Sequence, residues 1–369
     1  MSSTTSSLPF TVGCSVPLSD STIEKLKSNF DKFIYHPKGS SDDKFSNDEL
    51  KEIDVFFTTG RGLPESIESL DQLPELKHIQ LASAGSDFML KSKTIQSYIK
   101  DNHNNESNKR DLSLSTASGT HVLSIPPYAV GMSIALLHQW PRMILGARDK
   151  KRFLSEEECD YKGETYYARS SYGRTAGLLG YGALGRETAR LLKAHGMRII
   201  AANTSGKATP QEGYVIPGTG DKDGSIPEEY YSTKDPKSVE SFLKQSDVLI
   251  CSLPNTPATH YFLNKEKLEM LPDGAVLVNV GRGSLIPSDD LLKVLDSPKF
   301  FGAAIDVTDP EPLTENHPLW SHPKLIITPH ISGNAENEMD IAADILLTNV
   351  KKINQGEKVI NEIKFDRGY

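Results

Sequence analysis

From Arg174 onward the chain alternates short apolar runs with longer amphipathic stretches. The runs lie at 175–180, 198–203, 247–253, 275–280, 302–307 and 325–329. They read as buried strands, and the runs ahead of residues 282, 311 and 330 are rich in Val and Ile and close on Gly or Pro. Strands separated by helices predict a parallel sheet. Residues 206 to 237 break the rhythm with Gly, Pro, Asp and Tyr, and predict an elaborated loop.

Ahead of this region, the first ~115 residues read as a small α/β unit. Strands are expected at 55–59 and 79–82, each followed by a Gly-containing loop. Residues 100–111 are wholly polar and predict an exposed, mobile insertion. The segment 128–140 is apolar with few charges, so it predicts a helix that is buried or forms a subunit contact. From about Glu336 the chain turns helical again, and this tail is expected to return onto the amino-terminal unit. No internal repeat is visible.

At 369 residues two domains are expected. The net charge of −8 argues against a nucleic-acid partner, whose phosphates need excess Lys and Arg. No apolar run approaches the ~18 residues that cross a bilayer, so no membrane partner is expected. The start lacks the basic and apolar regions of a secretory signal. Cys14, Cys159 and Cys251 are odd in number and lack metal-ligand spacing, so they read as free thiols and no metal is expected. Cys251 lies in an apolar run and reads as core. These features together place the protein in the cytoplasm, where the acceptor triplet Asn105-Glu106-Ser107 would stay unglycosylated.

Thr175-Ala-Gly-Leu-Leu-Gly180-Tyr181-Gly182-Ala183-Leu184-Gly185-Arg is a strand, a Gly-rich turn and the start of an amphipathic helix. Gly180 permits the tight turn, Gly182 lets a pyrophosphate approach the backbone, and Gly185 lets the helix press on the strand. The helix amino terminus then offers N–H groups and partial positive charge to the phosphates. A bare Gly pattern is weak, but strand, turn, helix and second strand in order meet the context test for a dinucleotide. The residue ending that second strand discriminates the nicotinamide cofactors, since Asp or Glu would repel a 2′-phosphate. Here Asn203, Thr204, Ser205, Gly206 and Lys207 follow instead, a set that leans towards NADP over NAD. The competing account is that Thr204 and Ser205 only cap a turn.

Three polar residues each follow an apolar run: Arg282, Glu311 and His330. In an open parallel sheet ligands sit outside the carboxyl ends of the strands, so the three point towards one crevice. Reduction of a carbonyl needs a proton donor at the oxygen, which an imidazolium supplies near neutral pH. His330 is that acid, Glu311 the carboxylate that orients it, and Arg282 the grip for a substrate carboxylate. Singly, each is more often a satisfied turn residue or a solvated charge. Their shared placement downstream of a nucleotide fingerprint makes coincidence a poor account.

With these residues in view, the sequence resembles the D-isomer-specific 2-hydroxyacid dehydrogenase family from about residue 50 to the end. The resemblance is carried by Leu179-Gly-Tyr-Gly-Ala-Leu-Gly-Arg, Ser252-Leu253-Pro254-Asn-Thr-Pro-Ala-Thr259, Val278-Asn-Val280-Gly281-Arg-Gly, Asp306-Val-Thr-Asp-Pro-Glu-Pro-Leu and Thr328-Pro-His-Ile-Ser-Gly333. The loop from Gly213 to Asp221 and the end Asp366-Arg-Gly-Tyr resemble a fungal branch. The family implies an α/β fold of two Rossmann-like domains. One is a central, doubly wound parallel-sheet domain for NAD(P) at 119–335. The other is a smaller flavodoxin-like substrate domain at 1–118 plus 336–369, with a cleft and hinges between them. It also implies a homodimer with 128–140 in the interface.

By the same likeness Tyr181, Ala183 and Leu184 join the glycines around the cofactor. So do Leu253, Pro254 and Thr259, then Val280, Gly281 and Gly333. Asp306 would meet the nicotinamide carboxamide. Ser83, Ala84, Gly85 and Ser86 would offer backbone N–H groups to the substrate carboxylate, which Arg282 and His330 would also meet. Two positions depart from or extend the pattern. The family commonly has Glu within the motif that here reads Ala129-Val-Gly131. His121, in Ser-Gly-Thr-His, resembles a cleft residue of the fungal branch, and a satisfied loop histidine is the competing account.

The activity implied is hydride transfer between NAD(P)H and a small 2-oxoacid, with glyoxylate or hydroxypyruvate the plainest substrates. Formate dehydrogenases share the fold but carry Gln at the position of Glu311, which fits them less well. A nucleotide-sensing corepressor on the same scaffold is the non-enzymatic alternative, and the absence of turnover would distinguish it. The substrate's side chain is not legible in the sequence.

Overall fold

The structure, a computed structural model, describes residues 7–37, 44–104 and 110–364. The triplet at 105–107, the centre of the polar insertion and the end 366–369 lie outside the described residues. The chain divides into two compact units. One comprises Met1–Thr120, Glu212–Tyr214 and Ala335–Tyr369, and the other His121–Gln211 and Val215–Asn334.

Among the described residues, the first unit holds a five-stranded sheet of β1 (Leu8–Cys14), β2 (Phe30–Tyr35), β3 (Val55–Thr58), β4 (His78–Leu81) and β5 (Ser113–Ser115). The order is β2-β1-β3-β4-β5 and every pairing is parallel, the flavodoxin-like order. Only β3 and β4 correspond to strands the apolar pattern predicts. The terminal helix Glu338–Asn354 lays Ala342, Ile345, Leu346 and Val350 against Phe10, Val12 and Cys14 of β1. Its Asn349 bonds Gln80 Oε1 and both backbone groups of Ile360, which ties the tail to this sheet.

The second unit holds seven parallel strands: β6 (Thr175–Leu179), β7 (Arg198–Asn203), β8 (Glu229–Ser232), β9 (Val248–Cys251), β10 (Val276–Asn279), β11 (Gly302–Ile305) and β12 (Leu325–Ile327). Their order, β12-β11-β10-β9-β6-β7-β8, reverses direction at β6, so the sheet is doubly wound. Successive side chains feed opposite cores. Leu179, Leu249, Cys251 and Leu277 face one side, and Leu178, Val248, Ile250, Val276 and Val278 the other. Helices cover both faces, which is why these strands read as unbroken apolar runs. Cys251 is fully buried and free.

Two expectations need correction. The segment 206–237 is not loop throughout, because 229–232 adds the edge strand β8 beside β7. The apolar helix spans Ile125–Leu137, and Trp140 instead opens a second helix, Trp140–Lys150. Gln139 between them adopts a left-handed φ of 52° that ends the first helix. The first helix buries Ala129, Val130, Ser133, Leu136 and Leu137, and packs beside the helix Ala183–Ala194 on β10 and β11. Its apolarity is therefore explained by the core of its own unit.

Candidate active site

The nucleotide turn follows β6. Gly180 has φ +103°, open to glycine at little cost. A Cβ on Gly185 would come within 2.2 Å of Gly180 O, so the helix start is pressed against the turn. A Cβ on Gly182 would meet nothing within 4 Å, so the space above it is open. The helix Ala183–Ala194 carries no side-chain cap at Gly182. Its first N–H groups thus face that open space with the positive end of the helix dipole, as a pyrophosphate requires.

Tyr181 turns the other way. It is buried, and its hydroxyl donates to Asp221 Oδ2 at 2.7 Å. Burial and the Asp221 carboxylate push its pKa up. Arg186 lies against its ring and donates to the carbonyls of Asp221 and Thr209, while Glu187 accepts from Gly220 N–H. Three residues of the fingerprint helix and turn thereby fasten the 209–221 loop. Asp221 in turn accepts from the amides of Ser225 and Ile226.

At the end of β7, Asn203 spends its side chain on the turn after it. Its Oδ1 accepts from the N–H groups of Ser205 and Gly206 and lies 3.1 Å from Ser205 Oγ, while Nδ2 donates to Lys207 O. Thr204 O accepts from Ser232 Oγ. The turn therefore displays Ser205 and Lys207 with no carboxylate among its residues.

Asn279 repeats the device at the end of β10. Its Oδ1 accepts from Gly281 N–H and its Nδ2 donates to Arg282 O, so a buried amide orients the turn that carries Arg282. Val280 N–H donates to Cys251 O, and a Cβ on Gly281 would lie 2.8 Å from Leu253 O, so the turns after β9 and β10 run side by side. Thr259 Oγ1 donates to Pro254 O and accepts from Thr256 N–H, which closes the turn after β9. A Cβ on Gly283 would come within 1.8 Å of Thr308 O. Only glycine lets the Arg282 turn lie that close to the segment leading to Glu311.

His330 and Glu311 are in direct contact, with Nδ1 2.5 Å from Oε1. A carboxylate accepts, so Nδ1 carries the hydrogen and Nε2 is the atom left to give and take a proton. Both side chains are partly exposed. His330 has a φ of 56°, a left-handed conformation unusual for a residue with a Cβ. Buried Asp306, after β11, holds it there. Asp306 Oδ1 accepts from Thr328 Oγ1 and Ile331 N–H, and Oδ2 from Ser332 N–H and Oγ. Those four donors match the carboxylate's usual acceptor capacity. In this structure its work is thus to shape the His330 loop, and a carboxamide ligand would have to displace one of the four.

Sequence reasoning missed what fastens this loop from the helix side. Thr328 gives its only hydroxyl hydrogen to Asp306, so Tyr128 O–H is the donor in its 2.8 Å contact with Thr328 Oγ1. Burial raises the Tyr128 pKa, which keeps that hydrogen in place. At the far end of the loop, His121 Nδ1 lies 3.2 Å and Ser124 Oγ 3.3 Å from Gly333 O. Burial pushes the His121 pKa down, the bond to Gly333 opposes this, and the charges of His330 and Arg282 add to the lowering. Arg282 and His330 therefore share a neighbour, and Arg282 itself donates to Gly281 O.

The turn 83–86 belongs to the first unit, after β4. Ser83 Oγ donates to Gly85 O, and Ser86 opens the helix Asp87–Lys91 without a side-chain cap. No cluster of His, Cys, Asp and Glu suited to a metal occurs among the described residues, and no helix there is long and apolar enough to cross a membrane.

Comparison with known proteins agrees with this geometry. Residues 132–332 match the model of the D-isomer specific 2-hydroxyacid dehydrogenase, NAD binding domain. Glyoxylate/hydroxypyruvate reductase A of Salmonella paratyphi B is 35% identical over 204 residues, which is 55% of this chain and 58% of that relative. The chain thus spans little more than half of that relative's length. A D-isomer specific 2-hydroxyacid dehydrogenase family protein of Aeromonas salmonicida superposes over 98% of this chain and 100% of its own with a TM-score of 0.73 at 24% identity. The D-isomer specific 2-hydroxyacid dehydrogenase of Xanthobacter autotrophicus, solved with NADPH and MES, gives 0.73 at 21% over the same shares. At those identities the two structures speak for the fold. Since the family match covers more than half of the sequence and contains Arg282, Glu311 and His330, the chain belongs to the D-isomer specific 2-hydroxyacid dehydrogenase family and is an NAD(P)-dependent oxidoreductase of 2-hydroxyacids.

Proposed function

We propose that the protein reduces a small 2-oxoacid, glyoxylate or hydroxypyruvate being the plainest, to its D-2-hydroxyacid with NADPH. The observation that carries this reading is the His330–Glu311 contact on the sheet that holds the nucleotide turn. Arg282 binds the substrate carboxylate through its planar guanidinium and polarises the reacting carbonyl. His330 Nε2 donates a proton to the carbonyl oxygen as charge develops there, and takes it back in the oxidative direction. Glu311 keeps the ring in the orientation and tautomer this requires. The bound cofactor supplies the hydride. Gly180, Gly182 and Gly185 with the amides of Ala183 and Leu184 hold its pyrophosphate. Leu253, Pro254, Thr259, Val280, Gly281 and Gly333 border it on the strength of the family likeness.

For NADPH over NADH the support is the turn after β7. It has no carboxylate to repel a 2′-phosphate, and it displays a serine hydroxyl and a lysine. For the turn Ser83, Ala84, Gly85 and Ser86 as a carboxylate grip, the family likeness is the support. A homodimer is supported by large apolar side chains left exposed at Ile144, Leu145, Phe153, Tyr167 and Tyr172. A cytoplasmic protein with neither nucleic-acid nor membrane partners fits the acidic balance and free cysteines. The fungal affinity rests on two segments, whereas the curated relatives compared are bacterial.

The test is to follow absorbance of NADPH and, separately, NADH with glyoxylate, hydroxypyruvate and bulkier 2-oxoacids. Turnover with an ordered preference among the acids supports the reading. Nucleotide binding without turnover on any acid refutes it.

A further inference from the structure

The loop that carries His330 is fastened at both ends by one short stretch of chain, 121–128, 200 or more residues earlier. Tyr128 reaches Thr328 at its start. His121 and Ser124 reach the Gly333 carbonyl at its end. Between these points Asp306 takes up the amides of Ile331 and Ser332. The turn Thr120–Leu123 that presents His121 runs into the helix Ile125–Leu137, whose buried face is locked on the sheet. His121 is thus mounted on a rigid element, which a residue that positions another needs.

The chemistry fixes its state. A carbonyl only accepts, so Nδ1 of His121 carries the hydrogen given to Gly333. Burial, with the charges of Arg282 and His330, disfavours the charged form of the ring. The fit is also close, because a Cβ on Gly333 would stand 3.3 Å from Nδ1. On these grounds we propose that His121 is a positioning residue of the reaction: through Gly333 it holds the loop that carries the proton donor in its working geometry. This inference rests on the reading of His330 as that donor. It gives His121 no direct role in proton transfer.

The experiment compares His121→Ala with His121→Asn, whose side-chain N–H can replace Nδ1–H, and uses the full chain throughout. Amide hydrogen exchange over 328–334 is measured first because it needs no turnover. His121→Ala should speed exchange there about five- to tenfold, the size of one hydrogen bond, and His121→Asn should largely restore protection. In reduction of the preferred 2-oxoacid, kcat should fall by a similar factor in His121→Ala and recover in His121→Asn, with the Kd for NADPH within threefold throughout. Unchanged exchange and kcat in His121→Ala overturn the proposal. So does equal damage in both variants accompanied by equal losses of thermal midpoint, which marks a residue needed only for packing. If the unmodified protein turns over no acid, the functional reading fails, and the exchange comparison still decides whether His121 holds the loop.

Discussion

His330 Nδ1 stands 2.5 Å from Glu311 Oε1, although the two residues follow different strands of the sheet. The contact dictates which nitrogen is left for chemistry, since Nδ1 is committed to the carboxylate. Glu311→Gln keeps the shape and removes the charge. It should lower kcat about a hundredfold, within the usual range for losing general acid–base assistance, and leave the Kd for NADPH unchanged. Steady-state kinetics beside a nucleotide titration check this, and a kcat within threefold of the parent would remove Glu311 from the mechanism.

Asp306 makes a different kind of prediction, because its carboxylate accepts from four donors of the neighbouring loop. Asn in its place offers one acceptor oxygen and points N–H groups at donors. A buried donor left unmatched costs about 1–3 kcal/mol. Asp306→Asn should therefore lower the thermal midpoint by several degrees as well as kcat, since His330 loses the support for its left-handed backbone. A full loss of activity with an unchanged midpoint would show instead that Asp306 acts on the cofactor alone.

The apolar pattern revealed β3, β4, the six strands β6, β7 and β9 to β12, and missed the interior strand β1 and the edges β2, β5 and β8. β10 is buried on both faces and reads as Val-Leu-Val-Asn. By contrast β2 exposes Asp31 and Lys32, β5 is three residues with serine at both ends, and β8 begins on an exposed glutamate. Edge strands face water along one side, so their composition is mixed and their signal weak. Arg282, Glu311 and His330 stood out because three polar residues each follow an apolar run downstream of one nucleotide fingerprint. The residues that orient them did not. Tyr128 is 200 positions from Thr328, and His121 is 212 from Gly333, so only the folded chain brings these pairs together. Asn279 and Asn203 were visible as strand ends, but their bonds to the following turns depend on backbone geometry that composition does not reveal.

In the proposed reading, cofactor choice turns on Asn203. Asn203→Asp keeps an oxygen that can accept from Ser205 and Gly206, loses the bond to Lys207 O, and adds a negative charge beside the proposed 2′-phosphate position. The KM for NADPH should rise at least tenfold while that for NADH stays level or falls. Parallel titrations of the two cofactors read this directly. Equal changes for both would mean that the turn does not discriminate them.

The first unit carries its own pH dependence at His78, on β4. The ring is fully buried, Nδ1 contacts Ser113 Oγ at 2.8 Å, and Nε2 meets no hydrogen-bond partner of good geometry among the described residues. Burial lowers its pKa from 6.5 to about 4, ahead of opposing contributions from Gln80, Ser113 and the Glu362 carboxylate. The folded protein thus refuses a proton that the unfolded chain binds below pH 6.5. Stability is full above that value and declines as pH falls towards 4, by an amount on the order of 3 kcal/mol if this group acts alone. His78→Gln removes the titrating group while keeping a polar side chain on the strand. Urea unfolding at pH 7 and pH 4.5 should show a smaller acid loss in the variant than in the parent. The same loss in both proteins would transfer the effect to other groups and leave His78 as an uncharged core residue at every pH tested.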